Sequence, residues 1–233
     1  MIWKSKYIYA FLLLILSSSV LLNFIINDGE AEVNNTISFF PPGSNVYGLS
    51  PADLVKTYWK IFLSIPSSEH PWIDNTGEKC TYGQDLENTS VFYLPTMGEG
   101  TLERTCVIPS GLSILIPIII GEASFAEFPE LKTIEELHQT ASMDADQMDS
   151  YYLKVNDTKV NIDLSKYRIH TEAFDVTFPS DALFGAESGL TMVVADGYYV
   201  PTKKLEKGTY KINFGGNIPN IFLFDLTYNL IVK

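Results

Sequence analysis

The stretch that decides the fold holds both cysteines of the chain and its densest turn chemistry. It reads Trp72-Ile-Asp-Asn-Thr-Gly-Glu-Lys-Cys-Thr-Tyr-Gly-Gln84, and it is followed by Arg104-Thr-Cys-Val-Ile-Pro-Ser-Gly111 and an apolar run from Leu112 to Ile120. Asp74 can accept a hydrogen bond from the backbone two residues on, as in an Asx turn. We interpret the stretch as a corner of a β-rich domain that is held by one disulfide.

The two cysteines, Cys80 and Cys106, are expected to form that disulfide, because an exported chain with two cysteines usually oxidises them. The loop of about 27 residues that they close stabilises the fold by roughly 3.5 kcal/mol in the chain-entropy model. The alternative is a pair of free thiols. A metal site needs more Cys or His at close spacing, so we predict neither a metal nor a cofactor.

The N-terminal segment indicates where the protein is located. Two lysines lie within residues 1–6, an apolar run covers 7–26, and acidic residues follow it. This charge order predicts an N-terminus inside and an exported bulk. Residues 1–27 are either a cleaved signal peptide or a signal anchor, since about 20 apolar residues cross the hydrocarbon core. We expect a secreted or membrane-anchored extracytoplasmic protein, with a tether at 28–49 and a single domain at 50–233.

Charge and composition exclude some functions and suggest one modification. The net charge of −12 opposes binding to nucleic acid or to an anionic membrane surface. Three Asn-x-Ser/Thr triplets, at Asn34, Asn88 and Asn156, lie in polar, turn-like settings. They predict N-glycosylation if the host glycosylates exported proteins.

The rest of the chain predicts two helices and about ten short strands. Ser50 and Pro51 begin a helix that ends at Pro66, and Thr133 with Glu136 forms a capping box for a second helix up to Asp149. The strands are predicted at 91–94, 103–108, 112–120, 151–155, 159–164, 167–178, 190–195, 198–202, 209–214 and 221–232. Asn156-Asp157, Asp196-Gly197 and Gly215-Gly216 are predicted turns. Strands at this spacing favour an antiparallel β-sandwich, with a jelly roll as the preferred form.

Four polar residues beside the cysteines or the buried strand are the candidate site: Asp74, Gln84, Arg104 and Glu122. One interpretation is a small polar pocket. The other is structural, with Arg104 paired to a carboxylate and the amide bracing turns. No Gly-x-Ser-x-Gly elbow is present, and nothing local connects the three histidines to a nucleophile.

Several of these motifs resemble those of a widespread group of uncharacterised exported proteins from bacteria and archaea. The similarity rests on Asp-x-Thr-Gly-x-x-Cys-x-x-Gly-Gln at 74–84, Arg-x-Cys-x-x-Pro-x-Gly at 104–111, Asp-Gly-Tyr at 196–198 and Phe-Gly-Gly at 214–216. It covers roughly 54–232. The strand at 91–94 departs from the pattern, because it lacks the tryptophan expected at its start. The resemblance implies export, the disulfide and a β-rich domain, and it implies no reaction.

Two hypotheses of function follow from the sequence. The first is an exported binding or structural module without catalytic activity, whose ligand is a cell-surface protein or a glycan. The membrane is a further partner if the N-terminal segment is retained. The second is a secreted hydrolase, acting on glycans, that uses carboxylates near the disulfide.

Overall fold

The structure is a computed structural model that describes residues 36–97, 100–220 and 222–233, with Phe222 described by its backbone alone. The predicted signal segment at 1–27 and the sequon at Asn34 lie outside the described residues. Within the described ranges, no helix is long and apolar enough to cross a membrane.

The described chain is mainly β, with two helices. The helices are α1 (Pro51–Leu63) and α2 (Ile134–Gln147). The strands are β1 (Val91–Tyr93), β2 (Gly100–Ile108), β3 (Ser113–Ser124), β4 (Ser150–Val155), β5 (Thr158–Lys159), β6 (Arg168–His170), β7 (Phe174–Phe178), β8 (Gly189–Pro201), β9 (Gly208–Ile218) and β10 (Phe222–Val232). Short 3₁₀ turns lie at Ser67–Glu69, Pro71–Ile73, Leu164–Tyr167 and Leu183–Gly185.

Both helices begin where their capping residues predict. The Ser50 hydroxyl accepts a hydrogen bond from the Asp53 amide at 3.1 Å, which satisfies one of the free amides at the start of α1. At the start of α2, Thr133 and Glu136 form the reciprocal bonds of the predicted capping box. The caps therefore confirm the positions of both helix starts.

The strands form two mixed sheets, and this corrects the prediction of purely antiparallel pairing. In the first sheet the order is β1-β3-β8-β6, and β7 also pairs with β8. In the second sheet the order is β2-β10-β9-β4-β5. The pairs β1–β3 and β2–β10 are parallel. The β1–β3 pair can be parallel because β2 lies in the other sheet, so the chain between β1 and β3 leaves the first sheet and returns without making a hairpin.

The two sheets share a hydrophobic core, and α1 covers the opposite face of the first sheet. Ile114 and Val200 of the first sheet lie in one cluster with Phe214 and Leu226 of the second. Alternate residues of the same strands, including Leu115 and Tyr199, pack against α1. Strand β3 is therefore buried on both faces, as its apolar sequence predicts. A register shift after Pro117 confirms the expected irregularity at the proline.

Two of the predicted turns are wrong, because these residues lie inside strands. Asp196 and Gly197 belong to the continuous strand β8, and Gly215 and Gly216 to β9. The glycines serve close packing instead: a Cβ on Gly197 would lie 2.4 Å from the Ile119 carbonyl oxygen. The Asn156-Asp157 turn is confirmed, with φ of +47° and +62° between β4 and β5.

Three other boundaries differ from the sequence prediction. The run at 159–164 is strand only up to Lys159, and the run at 167–178 is two strands separated by residues 171–173. Residues 36–49, assigned to the tether, contribute Phe40 and Val46 to the core. Phe39 also forms a β-bridge with Thr202, so this part of the chain packs on the domain.

Candidate functional site

The Asp74 carboxylate organises the turn that follows the 3₁₀ segment Pro71–Ile73. Its Oδ1 accepts hydrogen bonds from the Thr76 amide at 2.9 Å and the Thr76 hydroxyl at 2.7 Å. Its Oδ2 accepts one from the Lys79 amide at 2.7 Å. The Asx turn is thus confirmed. Partial burial alone would raise the pKa of Asp74, but these hydrogen bonds together hold it below its ordinary value.

The turn lies along the outer edge of β2. The Thr105 amide, on the side of β2 that faces away from β10, donates to the Thr76 carbonyl at 2.9 Å. Gly77 has φ of +91°, and a Cβ there would lie 2.5 Å from the Thr105 carbonyl oxygen. Only glycine fits both the left-handed conformation and this close approach. The loop therefore covers an edge that would otherwise be open to pairing with another chain.

The predicted disulfide joins this loop to β2. Cys80 and Cys106 are bonded, with Cα atoms 5.9 Å apart, and both side chains are buried. Cys106 and Arg104 point to the same, inner face of β2, as their alternation predicts. The disulfide therefore fixes the loop to the strand whose edge it covers.

Gln84 covers the edge of the other sheet. Its side-chain oxygen accepts a hydrogen bond from the Tyr93 amide at 2.9 Å, and its nitrogen donates to the Tyr93 carbonyl at 2.9 Å and the Cys80 carbonyl at 3.1 Å. The side-chain amide thus pairs with β1 as a neighbouring strand would. The same 13-residue stretch contacts the edge strands of both sheets, β1 and β2.

Arg104 ties the start of this stretch to the core. The side chain is 1% exposed. Its Nε donates to the Asp74 carbonyl at 2.7 Å, Nη1 to the Tyr228 hydroxyl at 2.6 Å and Nη2 to the Trp72 carbonyl at 2.7 Å. The expected carboxylate partner is therefore wrong, since the partners are two backbone carbonyls and a tyrosine. We call residues 72–84 with Arg104 and the disulfide the clasp.

Glu122 takes no part in the clasp. It lies on β3 opposite Ala195, and its carboxyl lies close enough to that of Glu127 for each to shift the pKa of the other. The sequence did not single out Glu127. We call Glu122 and Glu127 the carboxyl pair. Ser124 donates to Glu127 Oε2 at 2.7 Å, whereas Glu122 Oε2 is buried without a hydrogen-bond partner among the described residues. In the sequence, the pair is indicated only by two glutamates that lie near the end of an apolar strand.

Burial raises the pKa of both members of the carboxyl pair. For Glu122 burial is the main cause, and the neighbouring Glu127 raises its pKa further. Burial also raises the pKa of Glu127, although its interactions with Glu122 and Ser124 offset part of the effect. The pair therefore retains a proton at pH values where an exposed glutamate is ionised.

A cleft of about 370 Å³ lies between the start of α1 and β6. Its walls include Leu54, Ile169 and Tyr199, and Lys166 and His170 also line it. The volume falls within the range of small-ligand sites. Among the described residues, no group of three or more His, Cys, Asp or Glu side chains is placed to hold a metal.

The two sequons that the structure describes differ in setting. Asn88 is exposed, and its side chain donates to Asp85 at 2.8 Å. Asn156 is half-buried in the turn after β4, where its side-chain oxygen accepts a bond from the Lys211 amide at 2.9 Å. Asn88 is therefore the more accessible acceptor for a glycan.

Comparison with known proteins gives no family. No family model and no curated protein matches the chain. Two solved structures are similar to part of it: PbICP-C in complex with falcipain-2, at 11% identity and a TM-score of 0.26 over 62% of this chain and 100% of that chain, and amebosin, at 14% identity and a TM-score of 0.20 over 59% of this chain and 100% of that chain.

Proposed function

We propose that this protein is an extracytoplasmic binding or structural module, built as a jelly-roll-like β-sandwich in which the clasp closes one edge of each sheet, at β1 and at β2. The observation that carries the proposal is the buried Cys80–Cys106 disulfide inside that network. Structural disulfides persist in oxidising compartments and are rare in the reducing cytosol. A fold that depends on one is suited to a location outside the cell.

The location is tested on protein isolated from its native cells after rapid alkylation of free thiols. We expect Cys80 and Cys106 to escape alkylation and the protein to be in the membrane or external fraction. Mass spectrometry of the mature N-terminus distinguishes a cleaved signal peptide from a retained anchor. Alkylated cysteines in a cytosolic fraction would contradict the proposal.

The binding site that we propose is the cleft between α1 and β6, for a glycan or a segment of a cell-surface protein. Its support is the combination of apolar walls with polar and basic side chains, which is common in ligand sites. The test is a screen on a glycan array and a peptide array. Ser44→Trp fills the cleft, whereas Asn45→Trp adds the same bulk at an exposed neighbour outside it. Saturable binding that only the first substitution removes supports this site, and binding that survives it places the ligand elsewhere.

The second candidate function is a secreted hydrolase, and the carboxyl pair is the observation that favours it. A carboxyl whose pKa is raised by burial can serve as the general acid of a glycosidase. Asp74 is less suited to this role, because both its oxygens accept hydrogen bonds from its own turn. Glycosidase substrates are therefore to be assayed with Glu122→Gln, Glu127→Gln and Asp74→Asn. Absence of turnover in the wild type would eliminate this function, and turnover that all three variants retain would exclude these carboxyls as its catalytic groups.

A further inference from the structure

We propose that Glu122 and Glu127 are a proton-operated latch that holds the 179–188 loop over an aromatic cavity, closed while the two carboxyls share a proton and open when both are ionised. The proposal goes beyond the binding or structural role and does not depend on it. It rests on three observations: the proximity of the two carboxyls, the hydrogen bond between the turn that carries Glu127 and the loop, and the cavity that Glu127 and the loop line together.

The first observation is that two acidic groups lie together without a cation. Glu122 projects from β3 on the face that packs against α1, since its cross-strand neighbour Ala195 lies in that cluster. No described Lys or Arg side chain forms an ion pair with either carboxyl. Two ionised carboxylates would therefore repel each other at close range, and one proton removes the repulsion by forming a carboxyl–carboxylate hydrogen bond.

The second observation connects the pair to the loop. Glu127 sits in a turn in which its own amide donates to the Ser124 hydroxyl at 3.2 Å. The carbonyl of the preceding residue, Ala126, accepts a hydrogen bond from the Glu187 amide at 3.1 Å. Displacement of Glu127 toward solvent thus disturbs the turn that anchors the loop.

The third observation is a cavity of about 10 Å³ beneath the loop, about the volume that one water molecule requires. Glu127 lines it together with apolar and aromatic side chains and one imidazole, among them Phe62, His70, Trp72, Phe178 and Phe184. Phe184 is 68% exposed with φ of +61°, a conformation that costs free energy for a residue with a Cβ. The loop over the cavity therefore keeps this backbone conformation only through its contacts with the surrounding residues.

Other titratable groups face this region and set the background. Tyr199 on β8 is close enough for the Glu122 charge to contribute to its raised pKa, after the larger effects of burial, Tyr58 and Asp196. Asp181 and Glu187 of the loop are exposed. Burial lowers the pKa of His70 to about 4, so that this side chain is neutral near pH 7, with Nε2 donating to the Phe62 carbonyl at 2.8 Å and Nδ1 accepting from the Trp72 amide at 3.2 Å.

The carboxyl pair and His70 make the stability of the fold depend on pH in opposite directions. The pair has folded pKa values raised above the unfolded ones, so its stabilisation is complete below the ordinary glutamate pKa and is lost as pH rises through the raised value. His70 has a lowered folded pKa, so its contribution is complete above its unfolded value and is lost as pH falls toward 4. A variant that changes only the pair separates the two.

The test measures the free energy of unfolding in urea between pH 4 and pH 8 for the wild type, Glu122→Gln and Glu135→Gln. Glutamine at 122 supplies a permanent donor to Glu127, and Glu135 is an exposed glutamate on α2. We expect the wild type and Glu135→Gln to lose stability relative to Glu122→Gln as pH rises above the ordinary glutamate pKa. Identical profiles for all three proteins would overturn the proposal.

A second measurement needs no variant. The amide of Glu187 reports the loop, and the Thr171 amide, which donates to the Ala195 carbonyl within the first sheet, is an internal reference. After correction for intrinsic exchange, we expect the hydrogen-exchange protection of Glu187 to fall with rising pH relative to that of Thr171. A constant ratio across this range would overturn the latch.

Discussion

The clasp and the carboxyl pair are two polar clusters in the same domain, and they differ in how completely their charged groups are paired. Trp72 Nε1 of the clasp is also buried without a described hydrogen-bond partner, but an indole N–H carries no charge. In the clasp, all three nitrogens of the Arg104 guanidinium donate hydrogen bonds and both oxygens of Asp74 accept them. In the carboxyl pair, Glu122 Oε2 is buried and has no hydrogen-bond partner in the part of the chain that the structure describes. A buried group with all its partners rigidifies a fold, whereas one without them responds to protonation.

Trp72 connects these two regions. Its carbonyl accepts the hydrogen bond from Arg104, and its side chain lines the small cavity with Glu127. The comparison therefore concerns two neighbouring environments that share one residue. The predictions below test whether the clasp behaves as a permanent brace while the pair responds to pH.

The largest effect is expected from Arg104→Leu. The substitution leaves the carbonyls of Trp72 and Asp74 and the hydroxyl of Tyr228 without their donor in the core, which costs about 3–5 kcal/mol of the free energy of unfolding. Urea denaturation measures it. Arg104→Lys is the matched control: one ammonium group cannot reproduce a planar fork, so we expect an intermediate loss. A loss below about 1 kcal/mol for the leucine variant would show that the brace is unimportant.

The next effect is that of the disulfide. Cys80→Ala with Cys106→Ala is expected to lower the free energy of unfolding by about 2–4 kcal/mol, because the unfolded chain regains the freedom of the loop between them. Reduction of the wild-type protein should give a similar loss in the same assay. An unchanged unfolding midpoint in both cases would contradict the role of the clasp.

A smaller and more specific effect is expected at Gly77. We expect Gly77→Ala to lower the free energy of unfolding by about 2 kcal/mol more than Gly111→Ala does. Both glycines have positive φ, at +91° and +82°, but a Cβ on Gly111 meets nothing within 4 Å, whereas one on Gly77 meets the Thr105 backbone. The difference between the two variants in thermal or urea unfolding isolates the close approach of the loop to β2. Equal losses would mean that the loop does not pack against this strand.

The smallest effect is a pH dependence of opposite sign to that of the carboxyl pair. The folded pKa of Asp74 is lowered, so its contribution is present above its unfolded pKa and is lost as pH falls through the lowered value. In Asp74→Asn, the free energy of unfolding should therefore fall less steeply as the pH is lowered into the acid range, and its pH dependence near neutral pH should be unchanged. An unchanged acid side would show that the turn does not depend on the charge.

Local chemistry made part of this structure predictable. The caps at Ser50 and Thr133, the Asn156-Asp157 turn and the Asx turn at Asp74 each depend on residues within a few positions of one another. The alternation in β10 likewise places Phe224, Leu226, Tyr228 and Leu230 inside. The predicted turn at Asp196-Gly197 is wrong because a dipeptide that suits a turn also permits close packing of β8 on β3. Only the presence of the neighbouring strand decides between a turn and a continuous strand.

The candidate site was predictable only where it is local. Asp74, Gln84 and Arg104 lie near the cysteines in sequence, and the disulfide brings them together. Their partners, such as Tyr228, come from the far end of the chain and carry no local signal. Glu122 was selected because it lies beside the predicted buried strand, but its neighbour Glu127 follows a strand end whose position the sequence did not define.

The most direct test of the clasp is amide hydrogen exchange at Tyr93 and Thr105. Their amides point away from the neighbouring strands β3 and β10 and are bonded to Gln84 and Thr76. In the oxidised protein we expect both amides to be protected. Protection of Tyr93 should be lost in Gln84→Ala, and protection of both should be lost on reduction while the shared core stays protected. Rapid exchange of both amides in the oxidised wild type would contradict the account, because the edges of the two sheets would then be open.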